Sequence, residues 1–328
     1  MTADGRTNAT TRRPSAAAQI RARPLIFFSA GSADTNRIAT MSPPDADADG
    51  AQAPPSASAE EMRKLLKPNP SEGEVLVALS RTYPTMNLKI VRELESYDDK
   101  NYLVQDAANG GTKYLAKIHN GVESLDYINK RSSPNGRTSV IDLQNAIFSH
   151  LDEVDGVTTS ASVPPTDAED GAVVSLHDLP VMSSTHSPSK LVVRLLTWVP
   201  GVPLSSVPST SLTAESLADA GAYLGRLRRS LDDLAQTNAN AVQASKRYHE
   251  WDGRNTLDLR NFTQYIADED RRGLVTSILD AFRDTFGEDG GKVDFPTGIL
   301  MGDYNDANII IDGGKVAGVI DFGDSVHR

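Results

Sequence analysis

Gly302-Asp303-Tyr304-Asn305-Asp306-Ala307-Asn308, then Ile309 to Ile311, a Gly313-Gly314 turn and Val319-Ile320-Asp321-Phe322-Gly323-Asp324, is the stretch that decides how this chain folds. Apolar runs on either side of the Gly-Gly pair predict a two-stranded hairpin, with polar residues held at its open end. Phosphoryl transfer needs a group that takes the nucleophile's proton and hard oxygen ligands for the metal that neutralises the phosphates. Asp303 fits the first requirement. Asn308, across a tight loop, and Asp321, at the end of the returning strand, fit the second, for an ion such as Mg²⁺ that accepts few protein oxygens and keeps several waters. Asp324 stands behind them.

Working outward, β-prone runs over Leu88 to Leu94, Tyr102 to Asp106 and Tyr114 to His119, with a turn at Ala108 to Gly111, predict three antiparallel strands. The third carries Lys117 among apolar neighbours, and an ammonium buried in a strand requires a partner. Val140, Leu143, Ile147 and Leu151 fall on one helical face behind a Ser139 cap. Lys190 to Val199 reads as a further strand, closed by Pro200-Gly201 at the boundary between two lobes. Helices follow over Ala214 to Leu234, with Leu217, Leu224, Leu227 and Leu231 on the apolar face, and over Arg271 to Phe286. Met62, Leu65, Leu66, Val75, Leu76 and Leu79 open the fold at helical spacing. The organisation expected is a low-complexity, disordered tail over 1–60, an N-lobe with hinge over 61–199 and a C-lobe over 200–328.

Asp303-x4-Asn308, a hairpin and Asp321-Phe322-Gly323 together resemble the catalytic and metal loops of protein kinases and of the aminoglycoside-phosphotransferase and choline-kinase-like small-molecule kinases. Those relatives commonly read His-Gly-Asp-x4-Asn, and Met301 stands here in place of the His. The resemblance implies an α+β, bilobal, protein-kinase-like fold with an antiparallel five-stranded N-lobe and a mainly helical C-lobe. It implies that Lys117 contacts nucleotide phosphates, with Gln144 where a helix Glu would pair with it and Asp142 two residues earlier. It also makes Val193 to Gly201, including Leu196 and Trp198, an interlobe hinge against the purine. Ser96-Tyr97-Asp98-Asp99-Lys100-Asn101 occupies the phosphate-covering position without a glycine and resembles the corresponding loop of hydroxylysine kinases. Two carboxylates there would repel a triphosphate, so they face solvent, an ammonium or a metal.

By the same resemblance the donor is GTP or ATP and the acceptor is 5-hydroxylysine or a similar hydroxylated amine. Asp252, Arg254 and Arg260 stand where relatives build the acceptor pocket, the Asp for an amine and the Arg for a carboxylate. Spacing alone supports only Mg²⁺-dependent phosphorylation of an alcohol. Another aminoglycoside, choline or homoserine-type kinase, or a nucleotide-binding module without turnover, fits the same residues. Family members continue into further helices where this chain stops at Arg328, so its C-lobe reads as incomplete at the C-terminus.

Composition removes several classes. A net charge of -11 opposes nucleic acid and anionic membranes as partners. The lack of cysteine excludes disulfides and thiolate chemistry. Six His lack zinc-site spacing, and no Gly-x-Ser-x-Gly elbow is present. No apolar run is long enough to span a bilayer. A cytoplasmic location follows as the expectation, with a mitochondrial one as the alternative, because Met1 to Thr40 holds six Arg against two Asp.

Overall fold

The computed structural model describes residues 59–132, 138–166, 168, 172–183, 185, 188, 190–249, 252–287, 293 and 295–327. The readings of the Arg-rich tail lie outside the described residues. Helix α1 (Ala59–Leu65) leads to α2 (Glu72–Thr82), whose start is fixed by a capping box in which the Ser71 hydroxyl and Glu74 carboxylate exchange hydrogen bonds with each other's backbone amides. Strands β1 (Leu88–Leu94), β2 (Lys100–Asp106) and β3 (Thr112–Ile118) pair antiparallel as the sequence predicts. After β3 the chain forms α3 (Gly121–Arg131), capped by Asn120, and α4 (Val140–Asp152), capped by Ser139.

Strands β4 (Ser162–Val163), β5 (Ser175–His177) and β6 (Leu191–Thr197) complete the sheet. Five strands run in the order β1-β2-β3-β6-β4, and the short β5 adds a sixth pairing on β6. Because β6 is central and covered on both faces, it reads as an almost unbroken apolar run, Leu-Val-Val-Arg-Leu-Leu-Thr. One face of the sheet packs against α2, where Val75, Leu79 and Tyr83 meet Tyr102, Val104, Ala116, Ile118 and Leu195. Each such side chain, fully buried, contributes roughly 1.5–3 kcal/mol.

The second half is mainly helical. Short β7 (Val202–Pro203) follows the Pro200-Gly201 corner, then α5 (Ala214–Thr237), α6 (Ala239–Ser245), a 3₁₀ stretch over Gly253–Tyr265 and α7 (Glu269–Phe286). Strand β8 (Ile299–Leu300), the hairpin β9 (Ile309–Asp312) and β10 (Lys315–Val319), and β11 (Val326–His327) complete it. β7 pairs with β9, and β11 pairs with β8. Helix α4 joins this half: Leu143, Ile147, Phe148 and Leu151 share one core with Tyr223, Leu227 and Leu231 of α5, with Ile309, Ile311 and Val319 of the hairpin, and with Phe322.

Two expectations need correction. The sequence reading assigns no element to 121–131, where α3 lies; its mean hydropathy is low, and the helix is started by the Asn120 side chain accepting from the Val122 amide. On α5, Leu217 and Leu224 are exposed, and the buried face is Ala220, Tyr223, Leu227, Ser230, Leu231 and Leu234. The core follows the 3.6-residue repeat through small and hydroxylated side chains that an apolar count passes over. Among the described residues, no helix is long and apolar enough to cross a membrane.

Candidate active site

The hairpin β9–β10 and the β8–β11 pair bring both ends of the deciding stretch together. Gly302 has φ of +83°, and a Cβ there would run into the Asp324 backbone, so the chain can leave β8 for Asp303 only through glycine. Within the loop, the Asn308 Nδ2 donates to the Asp303 carboxylate at 2.7 Å and to the Asp303 carbonyl at 3.0 Å. The Asn305 Nδ2 donates to the other Asp303 carboxylate oxygen at 2.7 Å. With its amide nitrogen turned to Asp303, Asn308 keeps its Oδ1 as an acceptor for another group. The Ile320 amide donates to the Asn308 carbonyl at 2.9 Å, which sets Asp321 beside Asn308.

Asp321 itself adopts a left-handed backbone, with φ of +61°, the one non-glycine residue to do so among those described. Asp tolerates that region better than most residues, at some cost in strain. Two contacts hold it: its Oδ1 accepts from the Gly323 amide at 3.0 Å, and Phe322 is fully buried edge-on against Phe148 of α4, with ring centroids 5.8 Å apart. Its Oδ2 lies 3.5 Å from the Lys117 Nζ, and the carboxylate stays 46% exposed. Lys117, Asp321, Asn308 and Asp303 therefore meet in one place.

Electrostatics differ across this group. Burial, the nearby Asp324 and the nearby Asp321 push the Asp303 carboxyl above the usual range, against its hydrogen bonds from Asn308 and Asn305. Burial works against the charge on Lys117, but Asp321 and Asp99 outweigh it and hold the ammonium above the usual lysine range. The Asp99 Oδ2 is 2.7 Å from Nζ, so one carboxylate of the glycine-free loop faces an ammonium. The other, Asp98, pairs with Arg63, which also reaches Glu123 at 2.6 Å.

Several sequence-predicted residues are engaged elsewhere. Gln144 does not face Lys117: its Oε1 accepts from Arg194 at 2.5 Å. Arg194 is fully buried on β6, and it also donates to the His119 Nε2 at 2.9 Å and the Asn145 Oδ1 at 2.9 Å. Asp142 is spent in the capping box with Ser139. Leu196 is buried between its register partners Leu115 and Ser162, while Trp198, past the end of β6, is half-buried on the connection to the second half. Asp252 is buried and caps the 3₁₀ stretch, its Oδ1 accepting from the Arg254 amide at 2.7 Å and its Oδ2 meeting the Arg254 guanidinium at 3.3 Å. Arg260 pairs with Asp280 of α7 at 2.7 Å, away from the catalytic loop.

Arg254 is better placed. It lines a cavity of about 420 Å³ with Lys246, Arg247, Tyr248, Asp252, Asn255 and His327, and its guanidinium lies 3.3 Å from the Asp252 carboxylate. Arg247 donates to the carbonyls of Gly323 and Ser325, which joins this cationic pocket to the segment carrying Asp321. Arg194 and Arg247 are residues to which sequence reasoning gave no role, whereas the Asp99 carboxylate was left open among solvent, an ammonium and a metal and meets the ammonium. An Arg inside the apolar run of β6 is the signal that could have found the first.

The donor set fits a hard cation, because Asn308 and Asp321 offer amide and carboxylate oxygens on adjoining backbone. Among the described residues no group of three or more His, Cys, Asp or Glu is arranged to hold a metal ion alone, so phosphate oxygens and waters would complete the coordination.

Comparison with known proteins bears on the family and the fold. The chain is 25% identical over 277 residues to hydroxylysine kinase of Xenopus laevis, covering 79% of this chain and 66% of that protein. It is 25% identical over 268 residues to hydroxylysine kinase of Danio rerio, covering 80% of this chain and 67% of that protein. The chain thus spans about two thirds of the length of these relatives. Among solved structures, the GDP complex of wild-type aminoglycoside 2'-phosphotransferase-IIIa superposes with a TM-score of 0.53 at 13% identity, over 79% of this chain and 74% of that one, and so shares the fold. The family profile described as "Phosphotransferase enzyme family" matches residues 90–327, and with most of its length covered the chain belongs to that family.

Proposed function

We propose that this chain transfers the γ-phosphoryl group of GTP or ATP, with Mg²⁺, to the hydroxyl of a small hydroxylated amine such as 5-hydroxylysine. The observation that carries the reading is the Lys117–Asp321 contact at 3.5 Å, which sets the cation of the first lobe against the loop that holds Asp303 and Asn308. In this reading 61–199 forms the N-lobe with its hinge and 200–328 the C-lobe. Lys117 meets the α- and β-phosphates, and the purine edge lies against backbone near Trp198. Asn308 and Asp321 hold the metal, which neutralises charge on the phosphates.

The acceptor hydroxyl attacks the γ-phosphorus, the bond to the bridging oxygen breaks, and the nucleoside diphosphate leaves with the electron pair. Asp303 takes the hydroxyl proton. Its carboxyl is held above the usual range by burial and the neighbouring carboxylates, and a stronger base accepts the proton more readily. Lys246, Arg247 and Arg254 line one cavity with Asp252, which offsets part of their charge, and the net positive lining supports an acceptor that carries a carboxylate.

The test incubates purified protein and Mg²⁺ with GTP or ATP and a panel of hydroxylated amines, and measures the phosphorylated product. Phosphorylation of 5-hydroxylysine is the expected result. Turnover of a choline-, homoserine- or aminoglycoside-type alcohol in its place would overturn the acceptor, and nucleotide binding with no product would overturn the catalytic reading.

A further inference from the structure

We propose that Asp99, on the turn between β1 and β2, is the positioning residue that holds the Lys117 ammonium against the nucleotide phosphates, a task performed by no side chain of α4. The inference rests on the kinase reading and assigns to this site a residue of the loop that would cover the phosphates.

The first ground is what α4 has to offer. Gln144 and Asn145 are both committed to the buried Arg194 guanidinium, and Asp142 to the helix cap. Among the described residues, Lys117 makes its ion pairs with Asp99 at 2.7 Å and Asp321 at 3.5 Å. Asp321 is the more exposed of the two, and its oxygens are the ones a metal would draw on. Asp99 is the carboxylate left to Lys117 when that metal is bound.

The second ground is that Asp99 is itself fixed. Its Oδ1 accepts from the Asn120 amide at 2.8 Å while its Oδ2 meets the ammonium. The Asn120 side chain donates to the carbonyls of Arg63 and Asp98, and its oxygen caps α3. Lys67 donates to the carbonyls of Ser96 and Tyr97 at 3.0 and 2.7 Å. The turn is thereby tied to α1 and to the start of α3, so it acts as a support. A lysine ammonium has three donors on a flexible stem. One is spent on Asp99, which orients the remaining two toward the cleft.

The test is a double-mutant cycle. Asp99→Asn keeps an oxygen for the Asn120 amide and removes the charge, so Lys117 loses its direction but one negative charge also leaves the phosphate site. Turnover per active site, with sites counted by nucleotide titration so that an unfolded fraction drops out, should fall ten-fold or more, while the nucleotide KM stays the same or drops. On a Lys117→Met background the same change should alter both constants less than two-fold, because no ammonium remains to be positioned. Asp99→Glu should recover part of the lost turnover, and it serves in place of Asp99→Asn should that variant fold poorly.

Equilibrium binding of Mg·GTP and Mg·ATP, run on the same four proteins, gives a readout that needs no acceptor. Equal effects of Asp99→Asn on both backgrounds, or wild-type constants in the single variant, would overturn the assignment. Additive effects in a protein that phosphorylates an alcohol reject Asp99 and leave the kinase reading intact. A coupled binding cycle in a protein that phosphorylates no alcohol keeps Asp99 and removes that reading.

Discussion

Lys117 on β3 and Arg194 on β6 are register partners, two buried cations side by side whose charges are met in different ways. Lys117 has carboxylates, from Asp99 and Asp321. Arg194 has neutral acceptors, from His119, Gln144 and Asn145. Burial pulls Arg194 down to about 10, which still leaves it charged at neutral pH, and burial with the two nearby cations keeps His119 neutral. Like charges across a ladder repel. The arrangement holds because each cation has its own set of oxygen or nitrogen partners.

Gln144→Leu should therefore act on stability. It strands a guanidinium N–H inside the protein, and an unsatisfied buried donor costs about 1–3 kcal/mol, more for a charged one. Thermal or urea denaturation would read the loss. Gln144→Glu restores an acceptor and should come closer to wild type.

Asp303→Ala removes the proton acceptor and should lower turnover by about 10² to 10⁴. Nucleotide affinity should change far less, because Asp303 meets the acceptor hydroxyl. Steady-state kinetics together with nucleotide titration separate the two effects, and full activity in the variant would reject Asp303 as the base.

Asp321→Ala should weaken the metal–nucleotide complex, so that half-maximal activity requires a higher Mg²⁺ concentration, by on the order of ten-fold or more for losing a ligand. A metal titration of turnover gives the answer directly. Unchanged Mg²⁺ dependence would remove Asp321 from the ligand set.

Gly302→Ala asks an L-residue to sit at φ of +83° and pushes a methyl group into the Asp324 backbone. The strain alone should exceed about 1 kcal/mol. Because the residue precedes Asp303, activity should fall more than stability. Comparing the unfolding midpoint with kcat distinguishes the two.

Glu123 supplies a pH dependence. Burial first, then the negative charge of Asp99, push its carboxyl from 4.5 up to about 7, against the pull of Arg63. Between those values the folded chain holds a proton that the unfolded chain has released, so stability falls as pH rises from about 4.5 through 7. The loss is on the order of 1–3 kcal/mol for a shift of this size. Glu123→Gln keeps an acceptor for Arg63 and should flatten that slope when denaturation is followed from pH 5 to pH 8. An unchanged slope would mean that another group carries the dependence.

Local patterns were legible wherever a residue's role depends on its chain neighbours. Asp303, Asn308 and Asp321 lie within one hairpin, so spacing brings them together, and the strands β1 to β3, the Ser139 cap of α4 and the β6 run follow from alternation and capping chemistry. The acceptor side was less readable: Asp252 and Arg260 carry suitable charges, but both are satisfied by nearby partners, Arg254 and Asp280. Helix α3 was missed because its start depends on a single Asn side chain and its apolar face is thin.

The sequence by itself determined the hairpin with its three oxygen-bearing side chains, the lysine strand and the antiparallel sheet around it, since these arise from periodicity and short-range turns. Only the tertiary structure decided which side-chain oxygen meets Lys117. Gln144 and Asp99 are both candidates along the chain, and the choice was made by burying Arg194 next to Lys117. That guanidinium claims Gln144 and Asn145 as acceptors, so the ammonium is left to Asp99 and Asp321.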